Sequence, residues 1–224
     1  MKNAFVGLAV GTLLFAFVGP AAATPIIVPT TAVVDSGGTD PSTSIVDTIN
    51  QNGLSAHYTP GVTDFDTYMA TNPMHALGFS TNEWFSASGT TTAQVTYNFG
   101  SIVGIDRLAL WNEESSGIGL LNLTYSTNNV NFFTLSSGIT PIDNPLADYP
   151  AQIFSFAPTN AQYVRFSMSG CPQANPGTFA GCAIGEVAFR QATVDGPAVP
   201  EPTSLLLLGT GLAGIVRRRF AKRG

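Results

Sequence analysis

Leu121-Asn122-Leu123-Thr124-Tyr125-Ser126-Thr127-Asn128-Asn129-Val130-Asn131-Phe132 decides the fold. Leu121, Leu123 and Tyr125 alternate with Asn122, Thr124 and Ser126, which places every second side chain on one face, the period of a strand and not of a helix. Asn128-Asn129 then breaks the pattern before Phe132, and asparagine tolerates the positive φ that tight hairpins demand, so a turn between two antiparallel strands is expected. Outward from here, Val164, Phe166 and Met168 alternate with Arg165 and Ser167 in the same way. Further short strands are expected over 94–99, 105–111, 131–135, 152–156 and 184–189. No segment of the body carries a long amphipathic period, and only Asp64 to Met69 suits a turn or two of helix. Strands at intervals of roughly ten to fifteen residues, with Gly and Pro between them, predict an all-β chain folded as an antiparallel sandwich.

Charge narrows the function. Between residues 24 and 200 the cations are Arg107, Arg165 and Arg190, against thirteen carboxylates, a net charge of minus ten. Affinity for nucleic acid comes largely from Lys and Arg displacing counterions, so nucleic-acid binding is not expected, nor binding to anionic lipid. Charged residues are 10% of the chain, and Ser, Thr, Asn and Gly supply the surface polarity instead, which suits an extracellular β-rich module. A body of roughly 170 residues is long enough for one domain with a two-layer core. In an oxidising compartment Cys171 and Cys182 are expected to bridge and close a loop containing Pro172, Asn175-Pro176-Gly177 and Gly181. Metal binding by the pair is the alternative, but no neighbouring His or further Cys completes a tetrahedral set.

Five stretches in order resemble the discoidin, or coagulation factor type C, domain: Tyr97-Asn98-Phe99-Gly100-Ser101; Ile105-Asp106-Arg107-Leu108-Ala109-Leu110-Trp111-Asn112; Tyr125-Ser126 with Asn131-Phe132; Ala161-Gln162-Tyr163-Val164-Arg165-Phe166; and Ile184-Gly185-Glu186-Val187-Ala188-Phe189. The resemblance covers roughly residues 80 to 190. It implies a galactose-binding-like β-sandwich of jelly-roll type, the fold of many carbohydrate-binding modules, with Trp84 at the family's core tryptophan. It also implies a structural calcium between the first loop and a carboxylate of the last strand, here Asn50, Ser55 and Glu186. Pairing of Glu186 with an arginine such as Arg107 is the competing expectation. The chain departs from the family in a longer, less regular segment over 53–82 and in a disulfide placed inside the last long loop.

The two ends read as addresses. Lys2, the apolar run Ala4 to Val18, Gly19-Pro20 and Ala21-Ala22-Ala23 follow the order of a secretory signal peptide over 1–23, with an anchor as the alternative. At the other end Pro200-Glu201-Pro202, the apolar run Leu205 to Val216 and Arg217, Arg218 and Arg219 are similar to the PEP-CTERM sorting tail of Gram-negative bacteria. Twelve helical residues rise about 18 Å, short of the roughly 30 Å of a bilayer core, so the run lodges only transiently in the inner membrane. Arginines after it stay cytoplasmic, which places the body outside. The resemblance implies recognition and cleavage by an exosortase near Pro200. The expected organisation is thus signal 1–23, sandwich 24–190, linker 191–199 and sorting tail 200–224.

Enzyme motifs are missing from the sequence. His57 and His75 sit in no metal pair or nucleophile motif, and Gly209-Thr210-Gly211-Leu212-Ala213-Gly214 lies in the apolar tail, where a dinucleotide fingerprint has no preceding strand. Asp64 and Asp66, near Asp47, Asn50 and Asn52, offer oxygen ligands but not at EF-hand spacing. Sugar rings stack on aromatic faces while their hydroxyls reach polar groups, which makes Tyr58, Tyr68 and the run Trp111, Asn112, Glu113 and Glu114 the ligand candidates. The alternative is that Trp111, Tyr58 and Tyr68 are packed. The sequence therefore predicts an exported, non-enzymatic sandwich delivered to the cell envelope or an extracellular polysaccharide matrix, binding glycan there. A purely structural or adhesive matrix protein and a secreted hydrolase are the other classes.

Overall fold

The computed structural model describes residues 23–78, 82–174 and 179–192. The signal segment, most of the linker and the sorting tail lie outside these residues, as do Asn175-Pro176-Gly177. Eleven strands run in chain order: β1 (Ile26–Ile27), β2 (Thr31–Ser36), β3 (Met74–His75), β4 (Trp84–Phe85), β5 (Thr92–Trp111), β6 (Leu120–Ser126), β7 (Phe133–Ile139), β8 (Tyr149–Pro150), β9 (Gln152–Ser169), β10 (Ala183–Ile184) and β11 (Glu186–Gln191). All the strand pairings are antiparallel. A 3₁₀ turn (Ile45–Ile49) and one short helix, α1 (Phe65–Ala70), complete the described elements.

Two long strands, β5 and β9, make the sandwich. Each was expected as two short strands, over 94–99 and 105–111 and over 152–156 and 164–168; each runs continuously, and they pair with each other from end to end except at register breaks after Asn98 and Ile105. The breaks divide the ribbon into two layers. In one, β2 pairs with residues 94–98 of β5 and β6 with the later half of β9, with β7 outermost. In the other, β11 pairs with residues 105–111 of β5 and β1 with β11.

The break after Ile105 also changes which residues face inward. Val95, Tyr97 and Phe99 belong to the central core, and on the far side of the break the inward positions are Leu108 and Leu110. Against β11, where Ile105 and Arg107 meet Gln191 and Arg190, β5 carries one extra residue, which shifts its two-residue period by one, so the outward set becomes Ala109 and Trp111. Trp84, Leu121, Leu123, Val164, Phe166, Val187 and Phe189 fill the space between the layers, with Tyr97 against Phe166 and Phe99 against Phe189 edge to face. Trp84 is fully buried, as the resemblance implied.

The irregular segment after residue 53 acts as a cover. Leu54, Tyr58, Phe65, Tyr68 and Tyr149 pack on Ala109, Trp111, Ala188 and Ile26, so the outer face of the β11 layer forms a second core. Asp64 caps α1 by accepting a hydrogen bond from Thr67 N at 2.8 Å and ties it to Thr24 N at 3.1 Å. The predicted hairpin is present: Asn129 adopts φ 59°, Asn128 Oδ1 accepts from the amides of Val130 and Asn131, and Tyr125 pairs with Phe133. Phe132 lies under the Arg165 guanidinium, 3.7 Å from the ring centre.

Candidate functional site

The loops after β3, β5, β7 and β9 meet around a pocket of about 410 Å³ lined by Leu77, Gly78, Phe85, Glu114, Ser115, Leu146 and Phe179. The loop after β5 supplies its floor. Trp111 ends the strand, paired with Glu186 of β11, and Asn112 then ties its own loop to two others. Its amide donates to Ile142 O at 2.9 Å and Gln173 Oε1 at 2.7 Å, its Oδ1 accepts from Ile118 N at 2.8 Å, and its carbonyl accepts from Asn144 Nδ2 at 2.7 Å. Glu113 folds back on its own loop: Oε2 accepts from the amides of Ser115 and Ser116, and Oε1 from the Ser115 hydroxyl at 2.7 Å. This local turn points the neighbouring Glu114 into the pocket lining.

A third carboxylate arrives from the other side. Glu83, just before β4, accepts from the Tyr149 hydroxyl at 2.7 Å through Oε1, which also lies 3.4 Å from His75 Nδ1. His75 stacks on Tyr149 with ring centres 5.1 Å apart. Tyr149 fits because residue 185 is glycine: a Cβ there would stand 2.3 Å from the tyrosine hydroxyl oxygen. Carboxylate oxygens of Glu83, Glu113 and Glu114 lie within 4.8 Å of one another, a grouping that could hold a metal ion. Burial pushes the Glu113 carboxyl up to about 7, with the charge of Glu83 adding to it. Burial raises Glu114 further, to about 9, helped by the charges of Glu113 and Glu83.

The residues singled out from the sequence fall in three groups. Cys171 and Cys182 form a disulfide, and the loop they close carries Phe179 to the pocket. Tyr58, Tyr68 and Trp111 are buried under the 53–78 cover: Tyr58 meets Tyr68 edge to face at 5.1 Å, Tyr68 donates to Ala56 O, and the Trp111 indole donates to Pro73 O at 3.0 Å. No ring of the three is open for a sugar to stack on. Asn112 and Glu113 are also buried and do not line the pocket; they hold the loop that brings Glu114 and Ser115 to it.

The implied calcium ligands are spread over separate contacts. Asn50 bonds Asp47 and Asn52, the Ser55 hydroxyl accepts from Met74 N, and Glu186 Oε2 accepts from Gln51 N at 3.0 Å. Burial keeps the Glu186 carboxyl well above its ordinary range. Arg107 does not meet Glu186; it pairs with Asp66, while Arg190 pairs with Asp66 and Asp106, and Arg165 with Asp35. Glu83, Leu77, Leu146 and Phe179 were not singled out, and the adjacent pair Glu113-Glu114 was the local sign of the cluster.

Residues 198–219 match the PEP-CTERM protein-sorting motif. The chain carries that sorting signal. No curated protein matches the chain. Among solved structures, it is similar to chitosan-binding module 1 of a chitosanase/glucanase from Paenibacillus sp. IK-5, at 17% identity over 73% of this chain and 95% of that one, with a TM-score of 0.46. It is similar to the CBM32 of AlyQ in complex with 4,5-unsaturated mannuronic acid, at 15% identity over 75% of this chain and 98% of that one, TM-score 0.45. A third is the CBM32-1 and CBM32-2 domains of Clostridium perfringens ZmpB in complex with GalNAc, at 18% identity over 73% of this chain and 34% of that one, TM-score 0.48. Among the described residues no helix is long and apolar enough to cross a membrane.

Proposed function

We propose that this is an exported protein whose sandwich binds a neutral glycan in the pocket at the Glu114 loop, after delivery by the C-terminal signal and its processing by an exosortase. The pocket's two-sided chemistry carries the reading. Leu77 and Leu146 are 47% and 49% exposed, and with half-buried Phe179 they offer an apolar rim to the C–H faces of a sugar. Glu114 and Ser115 stand among them as hydrogen-bonding groups for hydroxyls. All three arginines of the body are engaged with aspartates, so the pocket's own side chains offer no cation to an anionic sugar, which favours a neutral one.

A glycan array probed with the purified protein tests this. Binding to neutral saccharides, weakened about tenfold or more by Leu146→Ala and Phe179→Ala, supports the reading. Array binding that both variants retain in full would place the ligand elsewhere. The hydrolase reading is less favoured, because of the three clustered carboxylates only Glu114 lines the pocket, whereas glycosidases place a pair across the bond they cut.

A matrix or adhesive role without small ligand draws support from one observation. β7 is an edge strand, and Phe133 on it and Val130 in the adjoining turn are exposed, a surface suited to association between copies. Cell clumping lost in Phe133→Ser, together with a blank array, would favour that role.

A further inference from the structure

We propose that Glu83, Glu113 and Glu114 form a site for a hard divalent cation of the calcium type at the floor of the pocket. The cluster joins two distant parts of the chain, the segment before β4 and the loop after β5. All three side chains are out of water, at 0%, 1% and 2% exposure, with carboxylate oxygens within 4.8 Å of one another. Carboxylates gathered so closely in a dry site cannot all stay ionised unless protons or a cation cancel their charge. The body's arginines are spent on aspartates elsewhere. His75 is the basic side chain within ion-pair distance among the described residues, and its ring nitrogens already face Ala76 O at 3.0 Å and Asn82 O at 3.2 Å.

An independent observation points to a ligand. Glu83 Oε2 and Glu114 Oε2 are buried and have no hydrogen-bond partner, although buried carboxylate oxygens in folded proteins are ordinarily satisfied. Three other oxygens of the cluster are held in place: Glu83 Oε1 by the Tyr149 hydroxyl, and both oxygens of Glu113 by Ser115 and Ser116. Such outer contacts orient carboxylates toward an ion, and the free oxygens supply its bonds. An all-oxygen donor set selects calcium or magnesium over zinc or copper. A spread of up to 4.8 Å between donors suits an ion with bonds of about 2.3–2.6 Å better than one needing about 2.0–2.1 Å. Since Glu114 lines the pocket, the ion has an entry path and room for water oxygens in its remaining positions.

Calorimetric titration of calcium chloride into the purified, chelator-stripped chain tests the site without any sugar present, so its outcome is independent of the glycan reading. One ion per chain is expected, tighter than magnesium, with a melting temperature that rises in calcium. Glu83→Gln and Glu114→Gln should each weaken binding about tenfold or more, and Asp35→Asn, on β2 and outside the cluster, should leave it unchanged. Absence of heat and of any melting shift in the unmodified protein at millimolar calcium would overturn the proposal, whatever the variants do. So would binding that survives both cluster variants, or that Asp35→Asn weakens as much as they do.

Discussion

Asn112 holds the pocket together at the scale of one side chain. Its two amide donors and its acceptor reach Ile142, Gln173 and Ile118, so Asn112→Ala would strand several buried polar groups and release the loop that carries Glu113 and Glu114. A loss of about 2–4 kcal/mol is expected in urea unfolding, together with weaker glycan binding. The acids make a second prediction. Folding raises the carboxyls of Glu113 and Glu114 from 4.5 to about 7 and about 9, so the folded chain holds protons that the unfolded chain releases. The stability linked to those protons is complete below about pH 4.5 and is lost as pH rises through 7 toward 9. Asp64 acts oppositely: the Thr67 amide lowers it from 3.8 to about 2, and its contribution fades as pH falls through that range. Melting in chelator should therefore peak near pH 4 to 5 and decline steadily to pH 9, with calcium restoring the alkaline side; a flat alkaline limb in chelator would contradict the buried cluster. At this scale the sequence was only partly legible. Trp111, Asn112 and Glu113 stood out by residue type, but Trp111 is buried by the 53–78 cover, which has no regular period to read, and Asn112 is held by loops distant in sequence.

At the scale of elements, the loop closed by the Cys171–Cys182 disulfide contributes Phe179 to the wall of the pocket. Phe179 sits in it, touching Phe85 edge to face at 5.2 Å, and its carbonyl accepts from the Ser116 hydroxyl at 2.6 Å. Replacing both cysteines by serine should lower stability by about 2–3 kcal/mol through the freed unfolded chain. Glycan affinity should fall more than it does in variants of equal stability made far from the pocket, because the wall moves with the loop. Strand positions, the Asn128-Asn129 hairpin and the short helix after Asp64 were readable because each rests on a local period or turn residue. The union of short strands into β5 and β9 was not. A register break after Ile105 reverses the inward face, and nothing within the strand itself signals which partner crosses it.

For the whole molecule, sorting and binding are separate layers of information. The motif at 198–219 lies in the order of its residues, which is why it was legible from the chain. Mass spectrometry of the protein from its own cells should find the first 23 residues absent and the C-terminus near Pro200; an exported form that retains Arg219 would contradict processing. The pocket is legible only after folding, since it draws on four loops separated by as much as 102 positions, from Leu77 to Phe179. The most direct test of the account is the affinity of the purified protein for a saccharide selected on the array, measured beside Phe179→Ala and the remote surface variant Val33→Ala. The account predicts an affinity about tenfold weaker for Phe179→Ala and unchanged for Val33→Ala, with both variants folded. Equal affinity in all three proteins would contradict it.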